Sequence, residues 1–292
     1  MSMFRSFLDI NELSEANLRQ IINQQKDEMC LRGRNIGMLF EKYSTRTRLS
    51  FQVAISTLGG NSIDLRMDEL NISRNESFED TFRAMNCYLD GLVFRTTSHQ
   101  KLIEASKYFE KPIINALSDK SHPCQIISDL FTLNEHFKNL ELNILWMGDI
   151  NNVCYSLIEA AKLISEIKLT ICSPLSISSS VNIPLEPNVN IISDLNNENL
   201  SQIDCVMTDV FISMNEENND KKILLLEPYT VTPELMSKTS KNSVFMHCLP
   251  ANVGLEVKEE VFKSNKSIVW RQAYNRLIAQ KNLFSLIFSE NS

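Results

Sequence analysis

At 292 residues, with 43% hydrophobic and 22% charged side chains, the chain has an ordinary globular composition and the length for two medium domains. A formal net charge of −7 excludes a general nucleic-acid surface, which needs a basic face, so any anion must be recognised locally. No apolar run approaches the ~20 residues that span a bilayer, and the first residues fit neither a secretory signal nor a transit peptide, so a cytoplasmic protein without membrane partners is expected.

In chain order, Asp9 and Glu12 have capping-box spacing ahead of Leu13, Leu18, Ile21 and Ile22, which predicts an amphipathic helix ending near Cys30. The apolar run from Asn35 to Leu39 reads as a buried strand. Ser44 or Thr45 then starts a helix that carries Leu49, Val53, Ala54 and Leu58 and is stopped by Gly59 and Gly60. The junction between them, residues 40–48, reads Phe-Glu-Lys-Tyr-Ser-Thr-Arg-Thr-Arg. Free N–H groups and the positive dipole end of the helix, with the hydroxyls of Ser44 and Thr45, make an anion site there. Arg46 and Arg48 add guanidinium forks that match phosphate oxygens in pairs, where a lysine gives a point charge. Taken alone, the motif is equally a helix cap followed by two solvated arginines.

The alternation of strands and helices continues. A strand near Asn61 to Leu65 precedes a helix opened by Ser77 with Asp80 three positions on, and the strand Gly91 to Phe94 is closed by Arg95. In a parallel sheet, a residue at that position faces the ligand edge with Ser44 to Arg48. A helix over residues 102–108 leads to the strand Pro112 to Asn115, and a loop from Asp119 brings His122 and Gln125 to the next helix start. A lone histidine is more often structural, and here the two readings stand even.

Residues 143–147 restart the pattern as a strand, followed by the turn Gly148-Asp-Ile-Asn-Asn152 and a helix from Val153 to Ile164. That turn lacks the three glycines of a dinucleotide fingerprint, so nicotinamide and flavin cofactors are rejected. Further strands fall at residues 168–172, 188–192, 204–208 and 243–246, and Asn275, Arg276 and Leu277 open a last apolar helix. Asp209, Ser213 with Met214, and the segment His247-Cys-Leu-Pro250 follow strand ends and suit a small ligand: a carboxylate there fits an ammonium group, and Cys248 a reacting centre. Capping and core roles are as good in isolation. Of the seven cysteines, with no C-x-x-C pair among them, Cys30, Cys87, Cys124, Cys154, Cys172 and Cys205 read as core thiols, and Cys248 stands apart.

With these residues in view, the chain resembles the carbamoyltransferases nearly end to end, and within them the ornithine type. Residues 40–48 resemble the carbamoyl-phosphate loop, His122-Pro-Cys-Gln125 the second motif, and His247-Cys-Leu-Pro-Ala251 the ornithine-type motif. The resemblance implies that Ser44, Thr45, Arg46 and Thr47 hold phosphate and that Arg95 bridges phosphate and carbonyl. It implies also that His122 and Gln125 orient the carbamoyl group, and that Arg276, Cys248 and Leu249 complete the pocket. Asn152, Asp209, Ser213 and Met214 match the positions that grip the amino acid, and the catalytic set is Arg95, His122 and Cys248. Departures are Asn215 where a glycine is usual, Asn71 where a glutamine is usual, and Tyr274 where a glutamate is usual.

The expected architecture is therefore α/β, with two doubly wound parallel-sheet domains and the active site in the cleft between them. Residues 1–137, completed by a C-terminal helix over 273–292, would bind carbamoyl phosphate, and residues 138–272 ornithine. The expected reaction gives citrulline and phosphate in a homotrimer, with no metal or other cofactor. Putrescine or an acylated ornithine as acceptor, or a non-catalytic carbamoyl-phosphate-binding paralogue, are the alternatives.

Overall fold

The computed structural model describes residues 6–23, 29–71, 76–179, 186–196, 198–213 and 219–289. Two compact units emerge: Met1–Phe131 with Tyr274–Ser292, and Thr132–Ala273. In the first unit, strands β1 (Asn35–Phe40), β2 (Asn61–Arg66), β3 (Gly91–Arg95) and β4 (Ile113–Leu117) form one sheet in the order β2-β1-β3-β4, every pair parallel. Parallel strands need crossovers, here α2 (Thr45–Thr57), α3 (Phe78–Asn86) and α4 (His99–Tyr108) after the short first helix α1 (Glu15–Asn23). The second sheet, β7-β6-β5-β8-β9, is built the same way from β5 (Asn143–Met147), β6 (Lys168–Cys172), β7 (Val189–Ile192), β8 (Cys205–Thr208) and β9 (Val244–His247).

Strands covered by helices on both faces are read as unbroken apolar runs, and β1, β3, β5, β8 and β9 are buried along almost their whole length. Leu39, Phe82, Leu92, Phe94, Leu102 and Ile113 form much of one core, and Leu145, Val206, Phe245, Val257 and Val269 much of another. Each such side chain contributes roughly 1.5–3 kcal/mol on burial. Chain order fixes where ligands can sit. In the first sheet the chain runs from β1 outward to β2 and returns to the other side as β3. The second does likewise from β5 through β7 to β8, so the switch points lie between β1 and β3 and between β5 and β8.

Several sequence expectations are corrected. Asp9 starts no α-helix: residues 10–12 form a single 3-10 turn, α1 begins at Glu15, and the hydroxyl of Ser14 accepts from Asn17 N–H. Within the described residues α1 ends at Asn23, and Cys30 lies in a turn. Leu49 and Val53 are on the outer face of α2, 56% and 47% exposed, while Thr47, Phe51, Ala54 and Ile55 face inward. Cys87 is exposed because it caps α3 beyond the buried face of Thr81, Phe82 and Met85, and Cys30 is only half-buried. The C-terminal helix (Val269–Ser289) starts before Asn275, and its residues from Tyr274 onward are counted with the first unit.

Candidate active site

In the first unit the chemistry gathers at the switch point. Ser44 is the N-cap of α2 in extended conformation, its hydroxyl making no cap hydrogen bond, and Thr45, Arg46 and Thr47 form the first turn. Arg48 is paired with Asp64 of the edge strand β2 and lies over the Phe40 ring.

Arg95 ends β3 where the register with β4 slips: Phe94 faces Asn115 but Arg95 faces Leu117. Such an irregularity re-aims a side chain, and Arg95 is buried. His122 immediately precedes α5 (Pro123–Phe137) and is buried with it, and Arg276 of the C-terminal helix donates from Nη2 to the Thr47 hydroxyl. Burial, then the charges of Arg276 and Arg95, push the His122 pKa well below its usual 6.5. The four side chains Thr47, Arg95, His122 and Arg276 thus share one neighbourhood. Gln125, in the first turn of α5, is 1% exposed; its amide donates to Asp129 at 2.8 Å and its carbonyl oxygen has no partner among the described residues.

This electrostatics has a measurable consequence. Below about pH 6.5 the unfolded chain takes up a proton that folded His122 refuses, so its stability is full above that pH and falls below it, by up to ~1.4 kcal/mol per pH unit for this group. Melting temperatures of wild type and His122→Asn between about pH 7.5 and 5.5 should show the shallower slope in the variant. Equal slopes would mean that the buried ring is protonated.

The second unit has its own polar cluster. Asp209 follows β8, nearly buried, and its carboxylate accepts from Asn151 Nδ2 at 2.8 Å and from the Cys248 thiol. Asn151 is also the N-cap of α6 (Asn152–Leu163), accepting from Val153 and Cys154 N–H groups, so a single amide locks the β5 turn to Asp209. Gly148 in that turn has φ +110°, a conformation that favours glycine. Asn151, one position before the expected ligand residue Asn152, is in contact with Asp209. Only an Asx-cap signal, Asn just before an apolar helix, could have marked it.

His247 ends β9 with its side chain fully buried. Its Nδ1 accepts from Leu249 N–H at 2.9 Å, and its Nε2 meets Glu256 at 3.2 Å, which assigns the proton to Nε2. This holds Leu249 at φ +59° ahead of a cis peptide bond to Pro250 and presents Cys248 to Asp209. Donor atoms of Asp209, His247 and Cys248 lie within 4.8 Å of one another, but both ring nitrogens of His247 are engaged, so the trio offers an ion two donors. Ser213 is half-buried; Met214 and Asn215 lie outside the described residues.

Comparison with known proteins bears on both halves. Residues 5–135 match the aspartate/ornithine carbamoyltransferase carbamoyl-phosphate-binding domain, and residues 140–287 the aspartate/ornithine-binding domain of the same family. The chain is 39% identical over 308 residues to the ornithine carbamoyltransferase of Aquifex aeolicus, covering 99% of each. The chain belongs to the ornithine carbamoyltransferase family. The Rhizobium johnstonii member is 35% identical, over 96% of this chain and 97% of that one. Among solved structures, the ornithine carbamoyltransferase of Pyrococcus furiosus superposes with a TM-score of 0.89 at 31% identity, over 98% of each chain. The anabolic ornithine carbamoyltransferase of Campylobacter jejuni gives 0.88 at 30%, over 98% of this chain and 99% of that one. These kinships favour neither a putrescine-type acceptor nor a non-catalytic paralogue.

Proposed function

We propose that the protein is an ornithine carbamoyltransferase whose first unit binds carbamoyl phosphate and whose second unit binds ornithine. The observation that carries this is the gathering of Thr47, Arg95, Arg276 and a neutral His122 at the β1/β3 switch point. Phosphate oxygens suit the N–H groups at the start of α2, the hydroxyls of Ser44, Thr45 and Thr47, and Arg46. The carbonyl oxygen of the carbamoyl group takes Arg95 and a ring N–H of His122, with Gln125, Cys248 and Leu249 around the carbamoyl group. Asp209 holds the side-chain amine of ornithine, with Cys248 and Asn151 fixing its carboxylate. Asn152, Ser213 and Met214 contact the rest of the amino acid.

In the reaction the lone pair of the neutral side-chain amine attacks the carbonyl carbon. Negative charge builds on the carbonyl oxygen, where donors already in place stabilise it without reorganisation. The C–O bond to phosphate then breaks, phosphate leaves with the electron pair, and the new C–N bond of citrulline keeps the carbamoyl group after the amine loses a proton. A neutral His122 serves here as a hydrogen-bond donor, which its depressed pKa favours. The kinship with an anabolic enzyme supports the synthetic direction, towards arginine. The seven free cysteines suit a reducing cytoplasm, and no helix of the described residues is long and apolar enough to cross a membrane.

Purified protein supplied with carbamoyl phosphate and ornithine should form citrulline and phosphate in equal amounts; product with putrescine or aspartate in place of ornithine, or none at all, would reject the assignment. A homotrimer belongs to the same reading. Tyr43, Leu49, Val53 and Ile63 are exposed around α2 and the edge strand β2, an apolar surface suited to another copy. Light scattering should give three times 33.5 kDa, and Leu49→Glu with Val53→Glu should reduce it to the monomer mass; an unchanged mass would remove these residues from the interface.

A further inference from the structure

Glu41, the first residue after β1, belongs to the 40–48 motif, yet no role above uses it. Its carboxylate is heavily engaged. Oε2 accepts from Thr97 N–H at 2.8 Å, from the Thr96 hydroxyl at 2.7 Å and from the Thr97 hydroxyl at 3.1 Å. Oε1 accepts from Lys101 Nζ of α4 at 2.6 Å, and Glu41 N–H donates to the carbonyl of Arg95 at 3.0 Å. The carboxylate side chain is 8% exposed, that of Lys101 42%.

An ion pair with a half-exposed lysine contributes little by itself. Here, though, three donors come from the two residues directly after Arg95, and the backbone bond reaches Arg95 itself. Glu41 therefore spans the switch point, joining the loop after β1, which carries Ser44 to Thr47, to the loop after β3. Burial alone would raise the carboxyl pKa; hydrogen bonds from Lys101, Thr97 and Thr96, with the charge of Lys101, outweigh it and lower the pKa, so the side chain is a carboxylate at neutral pH.

We propose that Glu41 is a positioning residue for carbamoyl phosphate, one that acts through Arg95 by fixing the end of β3 against the phosphate loop. The proposal rests on the carbamoyl-phosphate reading of this unit. Groups held in this way matter because a misplacement of an ångström at a reacting centre costs on the order of a hundredfold in rate.

The test compares wild type, Glu41→Ala, Glu41→Gln and Lys101→Met. Citrulline formation is measured with each substrate varied in turn, alongside melting temperatures and calorimetric titration with carbamoyl phosphate. Glu41→Ala should raise KM for carbamoyl phosphate by about tenfold and lower kcat, with KM for ornithine within about twofold of wild type. Glu41→Gln keeps an acceptor for Thr97 N–H but loses the charge, and Lys101→Met loses the outer donor; each should raise the same KM by roughly threefold and carry the test should the alanine variant not fold. In an Arg95→Ala background the calorimetric loss from Glu41→Ala should largely vanish. Wild-type KM values in all three variants, with only melting temperature lowered, would overturn the proposal, as would an undiminished loss in the Arg95→Ala background. Failure of wild type itself to bind carbamoyl phosphate would instead overturn the underlying functional reading, and the proposal with it.

Discussion

Replacing Arg276 by alanine is expected to lower kcat/KM for carbamoyl phosphate by about 10³-fold, or ~4 kcal/mol of transition-state stabilisation. Arg276 is 3% exposed, and its guanidinium donates to the Thr47 hydroxyl and lies close enough to His122 to depress its pKa. Its loss removes a charged donor from the phosphate and carbonyl, and frees Thr47 and His122 to move. Arg276→Lys keeps a charge but not the planar fork, and an intermediate loss of about 10²-fold is expected. Steady-state kinetics with carbamoyl phosphate varied, on protein shown by circular dichroism to be folded, decide the matter. A rate within tenfold of wild type for the alanine variant would remove Arg276 from the site.

Asp209→Asn should act on the other substrate. The shape of the side chain is kept, but the charge facing an ammonium group is lost, and the amide turned toward Asn151 or Cys248 meets a second donor in place of an acceptor. KM for ornithine is expected to rise about 10²-fold, while KM for carbamoyl phosphate stays within about twofold. Parallel changes in both constants would show that the two units do not divide the substrates between them as proposed.

The apolar runs that became β1, β3 and β5 stand out because strands buried on both faces leave no polar alternation to confuse. Ser77 with Asp80 was legible because a cap is a local event: the hydroxyl does accept from Asp80 N–H at 3.0 Å. Asp9 misled for the opposite reason. Its carboxylate is claimed by Lys120, far along the chain, so the helix waits for Ser14. Leu49 and Val53 have the spacing of a buried stripe, and spacing does not say which of two apolar faces meets the core.

At the candidate site, residue types at strand ends pointed to Arg95 and Asp209, and a helix start to His122. The pairings there were not readable. Arg48 joins Asp64, Arg276 joins Thr47 across more than two hundred residues of chain, and Glu41 meets partners that only the strand order brings near. The role of Asn151, cap of α6 and partner of Asp209, adds to that expected of Asn152 and depends on helix phase.

The place of Arg276 in the chain has a bearing on how the protein is made. A ribosome finishes β1 to β4, then builds the entire second unit, and only afterwards supplies the arginine that reaches back to Thr47. At roughly 5–20 residues per second, that interval is on the order of ten seconds. Throughout it the nascent first unit lacks the side chain and the helix that seal its interior, and a polypeptide cut short by a premature stop anywhere in the second unit would never acquire them.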